Sequence, residues 1–312
     1  MNAETAPDVS VIIPTYNHAN FLREALQSVV TQSFQNWEAI VVNNYSDDDT
    51  ISVIESFADP RIRLENFHNK GVIAASRNQG IKLSRGRYLA FLDSDDKWYP
   101  EKLKQCLPFL ESGADLISHG LLRIGEASGN LYCGPQSKAT YDSLLDKGNC
   151  ITPSATVVRK NLVESVGCYS ESATIVTSED YHLWIKLARS GIKMQFTTEI
   201  LGEYRIHTGN QSGSVIKHLD SVIAVVNEFM PKDSQGRVKS YWRYRRRIGL
   251  AYYGAGRVMQ KVGQLKKAWS LFLKSVNCWP LRLSPYIAMS LNVLFVIKNS
   301  RRHLPMRKSI NE

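Results

Sequence analysis

At 312 residues, with 43% apolar and 22% charged side chains, the chain has the composition of an ordinary soluble globular protein with room for one large domain or two. Its five cysteines form no Cys-x-x-Cys pair, which argues against a disulfide framework or a zinc site and fits a reducing cytoplasm. No signal peptide is visible at the N-terminus. The longest apolar run, Tyr286–Ile297, is too short for a bilayer span of roughly 20 residues. We therefore expect a cytoplasmic protein that does not cross a membrane on its own.

The net charge of +10 is divided unevenly along the chain. Residues 1–213 hold 20 Lys and Arg against 25 Asp and Glu, whereas residues 214–312 hold 19 against 4. A mildly acidic body thus carries a strongly basic C-terminal region. This distribution predicts contact with a polyanion, either an anionic lipid surface or a nucleic acid.

Short β-rich segments alternate with helical patterns over the first hundred residues. Predicted strands cover Val9–Ile13, Glu38–Val42, Ile62–Leu64 and Tyr88–Leu92, and predicted helices cover Ala19–Thr31, Asp49–Phe57, Val72–Leu83 and Glu101–Leu110. This alternation predicts an α/β fold with a Rossmann-like, mostly parallel sheet flanked by helices. Ligands of such sheets bind beyond the carboxyl ends of the strands, so we expect the chemistry there.

The rest of the chain divides into a mixed part and a helical part. Residues 114–213 include a predicted strand over Ile151–Val158 and a predicted helix over Glu179–Arg189. From about residue 216 the pattern is helical, with helices expected over Tyr252–Lys261 and Gln264–Val276 and a last apolar helix from Ser284. We therefore predict a body of residues 1–213 and a basic helical C-terminal region of residues 214–312.

Three aspartates, Asp93, Asp95 and Asp96, follow the apolar strand that ends at Leu92. Ionised carboxylates are rarely buried together unless they are paired or bound to a cation. Mg²⁺ and Mn²⁺ prefer oxygen ligands, and Mg²⁺ is often held by one or two carboxylates plus substrate phosphates. The Asp-x-Asp pattern therefore indicates a metal–diphosphate site, with an ordinary solvated loop as the alternative.

The first two strand ends carry aromatic and amide side chains. Pro14, Thr15 and Tyr16 follow the first strand, where an aromatic ring can stack on a nucleobase, although a plain turn has the same composition. Asn43 and Asn44 follow the second strand, and their amides can bond a base or a ribose. A turn that leads into a helix cap fits the same spacing.

Three further side chains suit such a site. Arg77 can pair with the acidic loop or with a phosphate, or lie at the surface as an ordinary arginine. Asp180, in the first turn of a predicted helix, is a candidate general base, although the helix dipole alone stabilises an acid there. His207, beside Arg205 and small polar residues, is a candidate phosphate or metal contact.

In their order and spacing, these segments resemble the family 2 glycosyltransferases with the GT-A fold. The resemblance covers about residues 8–213 and rests on the stretches SVIIPTYNHANFLREALQSVVTQSF, GVIAASRNQGIKLSRGRYLAFLDSDD, TSEDYHLWIKLA and YRIHTGNQS. It implies a metal-dependent, inverting enzyme that moves a sugar from a nucleoside diphosphate sugar, with UDP-sugar favoured, to a hydroxyl of a glycan or lipid-linked glycan. Surface polysaccharide biosynthesis is the implied setting. The resemblance divides the body into a nucleotide-sugar-binding half, residues 1–100, and an acceptor and catalytic half, residues 101–213.

The resemblance also implies roles for individual residues. Nucleotide-sugar contacts fall on Pro14, Thr15, Tyr16, Asn43, Asn44, Arg77, Asp93 and Ser94, ligands of Mn²⁺ or Mg²⁺ on Asp93, Asp95 and His207, and the catalytic base on Asp180. One segment departs from the family pattern. Family members usually have Asp-Asp-Gly-Ser after the second strand, where an acid reads the uracil ring, and this chain has Asn43-Asn44-Tyr45-Ser46. An Asn oxygen still accepts a bond from a ring N–H, so base binding is retained and the choice among uridine, thymidine and guanosine stays open.

The basic C-terminal region predicts peripheral contact with an anionic membrane at its inner face. Its aromatic residues are interleaved with Lys and Arg, an arrangement that suits a membrane interface; these are Trp242, Trp269, Phe272, Trp279 and Tyr286. The alternative is that the aromatic rings only pack the helices and the charges only solvate them.

Other functions explain less of the sequence. A nucleic-acid- or membrane-binding protein with a non-catalytic sugar-nucleotide domain would use the basic region but leave the acidic rim without a purpose, so we expect no nucleic acid. A nucleotidyltransferase predicts a Gly-rich phosphate loop after the first strand, unlike Pro14-Thr15-Tyr16-Asn17. A transferase without turnover would be expected to lack Asp93, Asp95 or Asp180, and all three are present.

Overall fold

The computed structural model describes residues 6–126, 128–207 and 214–302, the last nine of these by their backbone alone. Within it the chain divides into two compact units, Met1–Gly213 and Ser214–Glu312. The first unit contains the sheet and the second is helical.

The first unit is built on one sheet, which has nine strands within the described ranges. They are β1 (Val9–Thr15), β2 (Trp37–Asn43), β3 (Ile62–Asn66), β4 (Tyr88–Phe91), β5 (Lys97–Trp98), β6 (Leu116–Gly125), β7 (Gly129–Leu131), β8 (Thr156–Arg159) and β9 (Met194–Ile206). Their spatial order is β3-β2-β1-β4-β8-β6-β9-β5, and β7 pairs with β6 outside this order.

The helices of the first unit connect and cover these strands. They are α1 (Ala19–Val30), α2 (Thr50–Glu55), α3 (Ile73–Leu83), α4 (Lys102–Glu111), α5 (Tyr141–Lys147), α6 (Lys160–Ser165) and α7 (Glu179–Arg189). Strands β1 to β4 are parallel, as the strand–helix alternation predicts. Strand β8 runs antiparallel to β4 and β6, whereas β9 is parallel to β6. The sheet is therefore mixed, and the ends of β1, β2 and β4 meet at one edge.

The core explains why these strand ends are held firmly. Every residue of β1 and β2 is buried, as expected for parallel strands covered on both faces. Helix α1 packs Leu22, Leu26 and Val29 into the same core at helical spacing. Because the strands are fixed on both sides, the loops that follow them start from defined positions.

The second unit is a set of four helices within the described part of the chain. They are α8 (Val215–Phe229), α9 (Tyr241–Lys261), α10 (Leu265–Cys278) and α11 (Leu283–Arg302). Helices α9 and α10 form a hairpin that is closely packed at Gly256, where an added Cβ would lie 2.5 Å from the Phe272 ring. Among the described residues, no helix has both the length and the apolar character needed to cross a membrane.

Two predicted elements have different limits in the structure. The helix predicted from Tyr252 begins at Tyr241, because an arginine-rich first half hides the apolar period there. The strand predicted over Ile151–Val158 is wrong in its first half. Pro153 opens a short 3₁₀ turn and the strand is Thr156–Arg159, since proline has no N–H to give to a strand ladder.

Candidate active site

A cavity of about 580 Å³ opens at the edge of the sheet where β1, β2 and β4 end. Among the residues that line it are Pro14, Thr15, Tyr16, Asn44, Arg77, Asp93, Ser94, Asp95 and Asp180. Nine of the eleven residues that the sequence assigns to a site thus lie around one space. The two others are Asn43 and His207.

The acidic loop after β4 forms one wall of the cavity. The Asp93 backbone N–H donates to Ser154 Oγ at 3.1 Å, and the Asp96 N–H donates to the Asp93 carbonyl at 3.0 Å. Burial, together with the charge of Asp93, raises the pKa of the Asp95 carboxyl. His207 lies outside the cavity lining, and its Nε2 is 3.0 Å from Asp95 Oδ2. The loop therefore holds closely spaced carboxylates whose repulsion a cation would relieve.

Asp96, the third acid of the loop, does not line the cavity. It is buried, and its Oδ1 accepts a hydrogen bond from the Arg205 backbone N–H at 2.9 Å. Burial and the charges of Asp95 and Asp93 raise its pKa well above the usual range. Asp96 thus joins the acidic loop to β9.

Arg77 connects two carboxylates that are far apart in the sequence. Its Nη2 lies 2.6 Å from Asp93 Oδ1 and its Nη1 lies 2.7 Å from Glu179 Oε1. Arg77 is only 3% exposed and the Glu179 side chain 9%, so this ion pair is shielded from water, whereas the Asp93 side chain is 25% exposed. The sequence analysis offered the acidic loop or a phosphate as partners of Arg77, and the structure shows the acidic-loop carboxylate of Asp93. The second partner, Glu179, was not indicated by the sequence.

Asp180 lies in the first turn of α7, on the cavity wall formed with Glu179. Asn149 Nδ2 donates a hydrogen bond to its Oδ2 at 2.9 Å. Burial and the neighbouring charge of Glu179 raise the pKa of the Asp180 carboxyl to about 7. A carboxylate with such a pKa is suited to accept a proton near neutral pH.

The ends of β1 and β2 form a second wall. Tyr16 is 52% exposed at the edge of the cavity, whereas Thr15 is buried. Asn44 Oδ1 accepts a hydrogen bond from the Asn69 backbone N–H at 2.9 Å. An exposed ring beside polar backbone and amide groups is suited to a flat heteroaromatic ligand.

Asn43 does not reach the cavity, contrary to the role expected for it. Its side chain is fully buried, Nδ2 donates to Asn66 Oδ1 at 2.8 Å, and Oδ1 accepts from the backbone N–H and the hydroxyl of Ser46. Asn43, the last residue of β2, thus holds the following loop through Ser46, whereas Asn44, just beyond the strand, lines the cavity.

Several cavity residues were not found from the sequence. His18 lines the cavity, and its Nδ1 is 3.0 Å from Ser94 Oγ. Its ring centre is 5.9 Å from that of His207. A histidine four residues after Pro14 was a usable signal, and Tyr204, which also lines the cavity, begins the stretch YRIHTGNQS. Asn149, which contacts Asp180 without lining the cavity, carries no such signal. The polar residues after His207, numbers 208–213, lie outside the described residues.

The donor set fits a divalent ion that is completed by its substrate. Within the described ranges, no group of three or more His, Cys, Asp and Glu side chains could hold a metal ion by itself. Asp93 and Asp95 nevertheless provide hard oxygen ligands in the cavity, and Mg²⁺ is commonly held by one or two carboxylates plus phosphates. The residues present therefore fit Mg²⁺ or Mn²⁺ held jointly with a diphosphate.

Comparison with known proteins identifies the class. The model of "Glycosyl transferase family 2" matches residues 10–167. The chain is 31% identical over 214 residues to the UDP-Glc:alpha-D-GlcNAc-diphosphoundecaprenol beta-1,3-glucosyltransferase WfaP of Escherichia coli, covering 68% of this chain and 82% of that protein. It is 32% identical over 206 residues to the putative teichuronic acid biosynthesis glycosyltransferase TuaG of Bacillus subtilis, covering 64% and 79%.

Solved structures agree at the level of the fold. TarS 1–349 of S. aureus superposes with a TM-score of 0.63 at 17% identity, covering 96% of this chain and 93% of that one. The mannosyltransferase PcManGT of Pyrobaculum calidifontis, in complex with GDP-Man and Mn²⁺, superposes with a TM-score of 0.59 at 18% identity, covering 96% and 89%. The first unit is thus a GT-A glycosyltransferase fold. The chain belongs to glycosyltransferase family 2, which confirms the class expected from its motifs.

Proposed function

We propose that the chain transfers a sugar from a nucleoside diphosphate sugar to a hydroxyl of a lipid-linked glycan, with inversion at the anomeric carbon. One observation carries this proposal: the acidic loop, with Asp93 and Asp95, and the carboxyl of Asp180 line the same cavity. The two loop carboxylates suit a metal and a diphosphate, and the carboxyl of Asp180 suits a general base. A transfer reaction needs both, on two sides of one sugar.

The nucleoside would lie between β1 and β2. Tyr16 offers an exposed ring for stacking, and Asn44 and Asn69 present amide and backbone groups beside it. A uridine donor is favoured because the name of the WfaP relative includes UDP-Glc. The structural neighbour TarS 1–349 has been crystallised in complex with UDP-GlcNAc.

Asp93 and Asp95 would hold the divalent ion, Mn²⁺ or Mg²⁺, with His207 as a hydrogen-bond partner of Asp95. When bound, such an ion supplies Lewis-acid stabilisation of the charge that develops on the leaving diphosphate. His18 and Ser94 lie beside Asp95 on the same wall, where a hydroxyl and an imidazole can bond phosphate oxygens.

Asp180 would remove the proton from the acceptor hydroxyl as that oxygen attacks the anomeric carbon. Its pKa of about 7 leaves it largely ionised at slightly alkaline pH, and Asn149 fixes the orientation of the carboxylate. Both amino groups of Arg77 are occupied by carboxylates, so we assign Arg77 to positioning Asp93 and Glu179. Attack from the side opposite the leaving group inverts the anomeric centre.

The proposed acceptor is a lipid-linked glycan at the inner face of the cytoplasmic membrane, in polysaccharide biosynthesis. The relative WfaP is named as a glucosyltransferase of a diphosphoundecaprenol-linked sugar, and the relative TuaG is named for teichuronic acid biosynthesis. The basic helical unit, with 19 Lys and Arg against 4 acids in residues 214–312, is suited to an anionic lipid surface.

A panel of UDP-, dTDP- and GDP-sugars, each with Mn²⁺ and with EDTA, tests the proposal by thermal shift. A ligand at about 100 times its Kd stabilises a protein by roughly 2.7 kcal/mol, which is readily measured. We expect a shift that requires the metal and is largest for a UDP-sugar. Asp180→Asn should still bind the donor but release nucleoside diphosphate about 10²–10⁴-fold more slowly in the presence of acceptor. Absence of any shift across the panel would refute the donor site.

A further inference from the structure

Three helix ends meet at one end of the second unit. Helix α9 begins there, α10 ends there and α11 begins there, because α9 and α10 form a hairpin and a short turn leads to α11. Arg245, in the first turns of α9, donates from Nε to the Cys278 carbonyl at 3.1 Å, and its Nη2 contacts the Asn277 carbonyl. These contacts fix the start of α9 against the end of α10.

An apolar ridge runs from this end along α11. Leu283, Ile287 and Leu291 recur every four residues and are 74%, 59% and 46% exposed. Leu281, just before the helix, is 86% exposed and extends the ridge. The other side of α11 packs Ala288 into the core of the unit. A helix that is apolar on both sides is typical of a protein interior or a membrane. Within the described part of the chain, however, this ridge is exposed to solvent.

Cations and aromatic rings surround the start of the ridge. Arg246 Cζ is 5.1 Å from the centre of the Trp279 ring, and Arg282 Cζ is 5.6 Å from the same centre. Trp242 is exposed in the first turn of α9. Amphipathic rings and long cationic side chains settle at the level of lipid headgroups, where apolar side chains point inward and charges stay in water.

We propose that the apolar ridge inserts into the surface of an anionic membrane, with Arg246 and Arg282 at the headgroups. This inference rests on the membrane association proposed above and assigns it to one surface. A second copy of the chain on the same ridge would bring two strongly basic units together, with like charges opposed across a symmetric interface. A nucleic acid would satisfy the arginines but leave the leucines in water. An anionic lipid surface satisfies both.

Sedimentation of the full chain with sucrose-loaded vesicles tests the proposal. Wild type should bind phosphatidylcholine vesicles that contain phosphatidylglycerol at low salt, and bind pure phosphatidylcholine weakly. Leu283→Ser combined with Ile287→Ser should reduce binding about tenfold or more, given the apolar area withdrawn. Arg246→Gln and Arg282→Gln should each reduce binding about fivefold and diminish its salt dependence, whereas Arg246→Lys should not.

The chain offers a matched control for the ridge in Ile216, an exposed apolar residue of α8. Helix α8 approaches the start of α9 through Asn227, whose Oδ1 accepts a hydrogen bond from the Tyr244 hydroxyl at 2.8 Å. Ile216 lies eleven residues earlier, about 16 Å along the helix. Ile216→Ser should therefore bind vesicles like wild type, and thermal unfolding of each variant checks that the fold is retained.

The outcomes separate the two proposals. If wild type binds vesicles and the ridge variant binds equally well, the ridge assignment is wrong and the membrane association stands. If wild type fails to bind, both are wrong. A dimer in sedimentation velocity that the ridge substitutions dissociate, without vesicle binding, would replace lipid by a second copy. Donor binding is measured separately by thermal shift with a UDP-sugar. The vesicle result can therefore be interpreted even if the chain proves not to be a transferase.

Discussion

Asn149 donates a hydrogen bond to Asp180 at 2.9 Å, from a loop position 31 residues earlier in the chain. The Oδ1 atom of the same side chain accepts a hydrogen bond from the Ile151 backbone N–H at 3.0 Å. Both polar atoms of the Asn149 amide are therefore hydrogen-bonded. A donor directed at a carboxylate favours its ionised form. Asn149 therefore opposes the burial and the Glu179 charge that raise the pKa of Asp180 to about 7.

Replacing Asn149 by alanine should raise the pKa of Asp180 further. The acid limb of the pH profile of kcat/KM should move upward by about one pH unit, since a hydrogen bond to a charged group is worth about 1.5–3 kcal/mol. Asn149→Asp keeps an acceptor for Ile151 but adds a second negative charge, and should shift the limb at least as far. If the acid limb of the kcat/KM profile does not move in either variant, the hydrogen bond from Asn149 does not influence the pKa of Asp180.

Asp180→Asn should lower kcat by about 10²–10⁴-fold, the usual contribution of a positioned base. The same change should stabilise the fold above pH 7. The folded-state pKa of about 7 exceeds the usual value near 4, so wild type loses stability as the pH rises through that window. Urea unfolding at pH 8 should show a gain of roughly 1–3 kcal/mol, below the full value of the shift because the group is partly open to solvent. The gain should vanish at pH 4, and a gain independent of pH would exclude this cause.

Removal of the Arg77 guanidinium should be costly because it leaves the buried carboxylate of Glu179 without its cation. Arg77→Met should destabilise the first unit by about 3–5 kcal/mol. Adding Glu179→Gln to Arg77→Met should recover part of that loss, since one unpaired charge is then removed. Equilibrium urea unfolding of the four proteins in this cycle measures the coupling. Strictly additive effects would mean that the two side chains do not interact in solution.

Asp95→Asn should uncouple donor binding from the metal. In wild type, EDTA should weaken UDP-sugar binding about tenfold or more, because a divalent ion stabilises the diphosphate by several kcal/mol. In the variant, binding should be weak with and without Mn²⁺. Asp47→Asn, an exposed carboxylate, is the matched control and should retain the EDTA effect. If EDTA weakens UDP-sugar binding by Asp95→Asn as much as it does in wild type, Asp95 is not a ligand of the metal.

Tyr16→Ala should weaken donor binding by about 5- to 150-fold, the range expected for one stacked base at about 1–3 kcal/mol. Tyr16→Phe keeps the ring and should bind nearly as well as wild type. Tyr132→Ala removes another exposed ring and should have no effect. Titration of UDP by calorimetry compares the four proteins, and equal affinities of Tyr16→Ala and wild type would place the base elsewhere.

Local sequence determined much of the cavity edge formed by the ends of β1, β2 and β4. The apolar strands and their polar ends are local signals, so Tyr16 and the acidic loop could be assigned to one edge before any coordinates were known. Helix α7 spans Glu179–Arg189, the limits predicted, because its first turn is acidic and its apolar residues keep a helical period. These features depend on neighbours within a few positions of the chain.

The contacts that tune the site could not be predicted in this way. The Arg77–Glu179 pair joins residues 102 positions apart, and no periodicity reports such a contact. Asn43 and Asn44 are chemically identical neighbours, and only the pairing of β2 with β3 beside Asn66 decides which one is buried. In the second unit, the arginine-rich start of α9 resembles a solvated segment, yet Arg247 and Ile248 in it are buried.

The shared cation at Arg77 has a consequence for engineering. The family resemblance implies a nucleotide-sugar-binding half, residues 1–100, and an acceptor half, residues 101–213, which would look like exchangeable modules with a seam near residue 100. In three dimensions, one guanidinium spans that seam, with Asp93 on one side and Glu179 on the other. A chimera that takes its acceptor half from a relative inherits a foreign partner for Arg77. Grafts intended to change acceptor choice should therefore carry positions 77, 93 and 179 from a single parent.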